Sequence, residues 1–216
     1  MSPQLYLLTP VLDEAAPFAP TLAAACEGAP VAAVLLQLAP ADERTLVNRV
    51  KALAPAAQER GAAVLVSVNG EVDLPTIASR GGADGVHTTR PADLPLLRDR
   101  LKGERILGVG SLRSRHEAME AGEAGPDYLL FGEPRPDGTL PPLDAVKERA
   151  EWWAEIFQTP CVAHAPTLGS VPLLAGTGAE FVALGEAVWS HEGGPGAATS
   201  LASSVLRSVP APADGS

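Results

Sequence analysis

Three stretches decide the fold: Gly82-Ala83-Asp84-Gly85-Val86-His87, Gly125-Pro126-Asp127-Tyr128-Leu129-Leu130 and Gly178-Ala179-Glu180-Phe181-Val182-Ala183. Each reads as a glycine, a small residue or proline, an acid, and then an apolar run. Glycine ends a helix cheaply in the left-handed conformation, and the run that follows is short enough for a strand. A joint repeated this way means repeated returns from helix to strand.

Working outward, further apolar runs stand at Leu5 to Leu8, Val31 to Leu38, Ala62 to Val68, Arg105 to Val109 and Pro160 to Ala163. They are apolar throughout instead of alternating, as strands buried on both faces are. The segments between them carry helical spacing. Arg44 to Arg60 puts Leu46, Val47, Val50, Leu53 and Ala54 on one face, and Leu143 to Phe157 puts Val146, Ala150, Trp153 and Phe157 on one stripe. Ser114 to Ala121 reads as another helix. Eight runs alternating with helices predict a single α/β domain, a (β/α)8 TIM barrel over residues 1–207, with a flexible tail at 208–216. A doubly wound open sheet is the alternative.

The chain has 216 residues, 46% of them hydrophobic and 19% charged, which is enough apolar material for a sizeable core. Its net charge of −10 argues against nucleic acid and anionic membranes as partners. No apolar run approaches membrane-spanning length, and the N-terminus has no basic region before an apolar stretch. Two cysteines, Cys26 and Cys161, lie beside apolar runs and read as buried thiols. The expectation is a cytoplasmic protein acting on a small molecule. A homodimer is possible in this reading if Trp152 or Trp189 is exposed.

In such a barrel the site lies where the strands end at their C-termini. That makes His87 and His164 candidates for lining a pocket, although a strand-end histidine satisfied by a carbonyl is equally plain packing. Asp93 has two readings, a metal carboxylate or a helix cap in Pro91-Ala92-Asp93. Arg90 and Arg135 are the basic residues expected on the active face. Pairing with Asp93 or Asp137 is their structural alternative. Asp84, Asp127 and Glu180 precede strands, at the opposite end, where stability roles are expected.

The order of Leu5-Tyr6-Leu7-Leu8-Thr9, Leu36-Gln37-Leu38, Asn69 with Val72-Asp73-Leu74, and Gly-Val-His at 85–87 with Asp93-Leu94-Pro95 resembles the thiamine-phosphate synthase family, which shares its fold with a thiazole tautomerase. The later runs at 106–109, 128–132 and 178–183 continue that order. The resemblance spans residues 4 to 190.

It implies a transferase of thiamine biosynthesis. Hydroxymethylpyrimidine diphosphate loses pyrophosphate, and a thiazole phosphate nitrogen attacks the carbocation. Magnesium and basic side chains hold the departing charge. The resemblance implies that Gln37, Asn69 and Thr139 lie at the substrate, Ser111 at the reaction centre and Asp93 at magnesium; His87, Arg90, Arg135, His164 and Glu186 join the substrate-binding candidates from their places after strands four, six, seven and eight. It also exposes departures. Ala39 and Ala41 replace two cations, Gly70 a metal carboxylate, Leu140 a lysine, and Pro166 part of a glycine turn; Glu186 stands where a serine meets phosphate. A carboxylate 4 Å from a phosphate repels it by about 1 kcal/mol per charge pair in water and several times more when partly buried. These departures support a second expectation, a non-catalytic or repurposed barrel that binds a less anionic molecule.

Overall fold

The computed structural model describes residues 2–135 and 137–209. The elements run β1 (Gln4–Leu8), α1 (Ala19–Gly28), β2 (Ala33–Leu38), α2 (Glu43–Gln58), β3 (Ala63–Val68), α3 (Leu74–Gly81), β4 (Gly85–Thr88) and α4 (Leu94–Leu101). They continue with β5 (Ile106–Val109), α5 (Arg115–Glu123), β6 (Tyr128–Phe131), α6 (Leu143–Ile156), β7 (Cys161–Ala165), α7 (Val171–Ala175), β8 (Phe181–Leu184), α8 (Glu186–Trp189) and α9 (Pro195–Ser208). The strands form a closed barrel in chain order. Every pairing is parallel, and β1 closes on β8 with Leu7 opposite Leu184. Closure excludes the open doubly wound sheet.

Local sequence explains the helices. Asp42 accepts the Thr45 N–H at 3.0 Å to start α2, and Ser114 and Glu117 form a capping box at the start of α5. Gly82, Gly125 and Gly178, the three glycines of the repeated joint, all have φ between 72° and 87°. The acids of that joint share one task. Asp84 accepts the Val64 N–H at 2.7 Å, Asp127 the Leu107 N–H at 2.7 Å and Glu180 the Cys161 N–H at 2.9 Å. Each acid ahead of an even-numbered strand thus holds the N-terminal end of the odd-numbered strand before it.

Two apolar layers result. The outer one lies between strands and helices and includes Leu7, Leu22, Val50, Ile77, Trp153 and both cysteines. The inner one fills the barrel with Tyr6, Leu8, Leu35, Leu65, Tyr128, Leu130, Val162 and Ala183. Alternation along each strand puts residues two apart on the same side, so the inner layer fixes which later residues reach the mouth.

Three expectations need correction. Trp152 and Trp189 are half-buried, not exposed. Trp189 Nε1 donates to the Leu8 carbonyl at 2.6 Å and its ring meets Phe18 edge-on at 5.0 Å. Trp152 packs on Trp153 and Phe157 with the Arg115 guanidinium 5.0 Å over its ring. Neither offers the bare apolar face on which a dimer was expected. The domain boundary at 207 falls inside α9, whose last turn continues through Ser208, and residues 210–216 of the expected tail lie outside the described residues. β7 extends two residues past the expected Ala163, because His164 pairs opposite Ala183 and Ala165 opposite Leu184. No helix among the described residues is long and apolar enough to cross a membrane.

Candidate functional site

The C-terminal ends of the strands surround a cavity of about 300 Å³. Its floor is Leu8 and Leu35 of the inner layer. Its wall includes the inward residues one step further along: Gln37 after Leu35, Ser67 after Leu65, His87 after Gly85 and His164 after Val162. The sequence-predicted residues Gln37, Asn69, His87, Ser111, Arg135, His164 and Glu186 all line it.

Arg90, Asp93 and Thr139 do not. Asp93 accepts from Arg90 Nε at 2.7 Å, and Arg90 lines a separate pocket beside Asn69 and Gly70. Asp93 makes no cap bond either. It sits in helical conformation (φ −81°, ψ −12°) where a short turn at Pro91–Asp93 runs straight into α4, whereas a capping residue adopts extended geometry. Exposed Thr139 bonds Asp137 Oδ1 through Oγ1 at 2.6 Å, and Arg135 Nη1 donates to the same hydroxyl at 3.5 Å.

The two histidines present opposite polarity to the cavity. His164 Nδ1 lies 2.9 Å from the Gly132 carbonyl. A carbonyl only accepts, so Nδ1 carries the proton and Nε2 offers a lone pair. Nε2 lies on the Gly185 side, where a side chain on that glycine would meet it at 3.5 Å.

His87 is set by a relay through the barrel. Tyr6 Oη is 2.8 Å from Tyr128 Oη, which is 2.9 Å from His87 Nδ1. Among the described residues Tyr6 Oη has no other partner. Only the direction Tyr6 to Tyr128 to His87 gives each buried hydroxyl proton an acceptor, so His87 Nδ1 accepts and Nε2–H is a donor at the mouth. Burial pushes both phenols up and keeps them protonated. Burial also pushes His87 down to about 3 and His164 down to about 4, the Gly132 carbonyl opposing the latter, so both rings are neutral near pH 7. The relay needs Gly108, since a side chain there would strike the Tyr128 ring.

A third titratable group was not legible from the sequence. Glu133 is half-buried, and its Oε1 accepts the backbone N–H of Ser111. Ser111 is one of two non-glycine residues among those described with positive φ, at 59°. Gly110 makes room for this meeting: a Cβ there would collide with Glu133 Oε1 and sit 2.9 Å from His87 Nε2. Burial raises the Glu133 carboxyl to about 7, against the Ser111 N–H and the Arg149 charge, which lower it. The only sequence signal is an acid directly after the sixth strand, in Phe131-Gly132-Glu133.

The charges lining the cavity are Glu133, Glu186 and Arg135. Glu186 opens α8 and, among the described residues, has no ion-pair partner. The residues do not fit the magnesium site that the resemblance implies. Gly70 offers no side-chain ligand, and Asp93 is already matched by Arg90 outside the cavity. No group of three or more His, Cys, Asp or Glu converges among the described residues.

These features define a class: a (β/α)8 barrel with a small-molecule cavity, lined by neutral histidines, at the C-terminal mouth. The family model described as thiamine monophosphate synthase matches residues 5–188, and the chain belongs to that family. It is 40% identical over 208 residues to a thiamine-phosphate synthase of Rhodospirillum centenum, covering 94% of this chain and 98% of that one. It is 34% identical over 218 residues to a thiamine-phosphate synthase of Hyphomonas neptunium, covering 95% of each. The solved thiamine phosphate pyrophosphorylase of Pyrococcus furiosus superposes with a TM-score of 0.75 at 23% identity, covering 95% of this chain and 96% of that one, a likeness of fold.

Proposed function

We propose that this chain joins hydroxymethylpyrimidine diphosphate to thiazole phosphate. The observation that carries the reading is the convergence of Gln37, Asn69, His87 and Ser111 on one cavity, in a chain of this family. The bond from the pyrimidine methylene to the diphosphate oxygen breaks, and its electron pair leaves with pyrophosphate. The thiazole nitrogen then donates its lone pair to the methylene carbon.

The protein's part is to hold and exclude. His87 Nε2–H donates to a ring or leaving-group acceptor, and His164 Nε2 accepts from an amino or hydroxyl group. Gln37 is fixed for such work because its Nε2 donates to the Thr9 carbonyl at 2.6 Å, which leaves the amide oxygen to accept. Arg135 lines the cavity and is the positive charge there that a departing anion can meet. Magnesium would neutralise charge on the diphosphate, as the resemblance implies, but among the described residues no group of three or more His, Cys, Asp or Glu converges to hold it. Its contribution is a dependence to be measured by turnover with and without chelator. The reaction belongs in the cytoplasm, where Cys26 and Cys161 stay reduced.

A second reading is favoured by Glu186, which lines the cavity and, among the described residues, has no ion-pair partner: the mouth takes a less anionic molecule. Pyrophosphate release from the two substrates decides between them. Turnover that requires both supports the condensation. No product from folded protein at high concentration supports the second reading.

A further inference from the structure

The condensation transfers no proton, yet a carboxyl after the sixth strand lines its cavity. Nothing in the sequence resemblance assigns Glu133 a role.

Its position is built. Oε1 takes the Ser111 N–H, where the backbone turns through positive φ. Gly110 leaves the room: an added Cβ there would lie 2.9 Å from the Glu133 carboxyl carbon and 2.9 Å from His87 Nε2, and would collide with Oε1. The carboxyl and the imidazole nitrogen thus stand side by side over one glycine. Two neighbouring groups of a single ligand can reach both.

Each keeps a free atom for that purpose. Among the described residues the Glu133 carboxyl bonds one other residue, Ser111, and the His87 ring bonds one, Tyr128. Glu133 Oε2 and His87 Nε2 are left to the cavity that both residues line. The tyrosine relay makes Nε2–H a donor, and an ionised carboxylate only accepts. A donor beside an acceptor matches a ligand edge with an acceptor beside a donor. A ring nitrogen next to a carbon that bears an amino group is such an edge.

Charge does not make this match. Arg113, Arg135 and Arg149 line an adjoining cavity of about 60 Å³ with Glu133, Glu117 accepts the Arg113 N–H, and Glu186 lines the main cavity. Mixed signs leave hydrogen-bond polarity as the selective feature.

We propose that Glu133 is a specificity-determining residue that, together with His87, reads the amino group and adjoining ring nitrogen of the pyrimidine substrate. The proposal rests on the condensation reading above, in which that pyrimidine is bound. His87 Nε2–H donates to the ring nitrogen, and Glu133 Oε2 accepts from the amino group.

The test is calorimetric titration of the full chain at pH 8, above the value of about 7 to which burial raises the carboxyl. The probes are hydroxymethylpyrimidine and its deamino analogue, in which hydrogen replaces the amino group. Glu133→Gln keeps an oxygen for the Ser111 N–H and turns an N–H toward the amino group. Glu133→Ala removes the acceptor and keeps the test decisive if Glu133→Gln does not fold.

A hydrogen bond to a charged group is worth about tenfold or more in affinity. The unaltered protein should therefore prefer hydroxymethylpyrimidine to the analogue by about that factor. The variants should lose the preference while binding the analogue as before; a merely structural role would weaken both probes alike. Equal binding of the two probes by the unaltered protein, binding of neither, or a preference that survives in either folded variant overturns the proposal. Turnover of the two substrates without a Glu133-dependent preference removes this role and leaves the condensation. A Glu133-dependent preference without turnover leaves the role and removes the condensation.

Discussion

His87, His164 and Glu133 show how burial sets chemistry residue by residue. A histidine held below its ordinary value binds fewer protons folded than unfolded. The two histidines therefore contribute stability above about pH 6.5 that is lost as the pH falls toward 4 and then 3. Glu133 works the other way. Its carboxyl is raised, so its contribution is present below the ordinary value of 4.5 and is lost as pH rises through about 7. Glu133→Gln removes that second loss while keeping an oxygen for the Ser111 N–H. Relative to the unaltered protein, the variant should gain up to about 3 kcal/mol of stability between pH 4.5 and 8, at ~1.4 kcal/mol per unit. Urea unfolding at four or five pH values measures it. A difference between the two proteins that does not change with pH would contradict the effect of burial on this carboxyl.

At the scale of elements, the joints that reveal the fold also brace it. Asp127 holds the Leu107 N–H and pairs with Arg98 at 2.9 Å, at the end of the barrel away from the cavity. Asp127→Ala leaves a strand N–H without its acceptor, which should cost about 1–3 kcal/mol. Turnover of the folded variant should stay within twofold. The denaturant midpoint and kcat, measured on one preparation, separate the two effects. The strands were legible because each is an apolar run bounded by glycine or an acid. The cap reading of Asp93 failed because a single turn fused with α4, which residue spacing does not encode. β7 read short because His164 interrupts an apolar run, although its pairing with Ala183 and its bond to Gly132 keep it in the strand.

For the whole molecule, what the sequence revealed was the order of the strands and hence the end where the site lies. Gln37, Asn69, His87 and His164 follow from that order because they stand at strand ends. Glu133 and its arginine neighbours do not. The N–H that holds Glu133 belongs to a residue 22 positions away, and Arg149 reaches the Leu112 carbonyl across 37 positions. Such meetings depend on how two loops and a helix pack, and no local pattern announces them. The chain belongs to the family, and the charges that line its cavity are Glu133, Glu186 and Arg135.

The central claim is that the reaction site is the cavity between His87 and His164. A crystal structure of the chain with thiamine phosphate and pyrophosphate tests it most directly. The account predicts ring density within hydrogen-bond reach of His87 Nε2 or His164 Nε2. Density instead at the opposite end, in the cavity of about 250 Å³ bounded by Tyr6, Ala63 and Phe181, would contradict it.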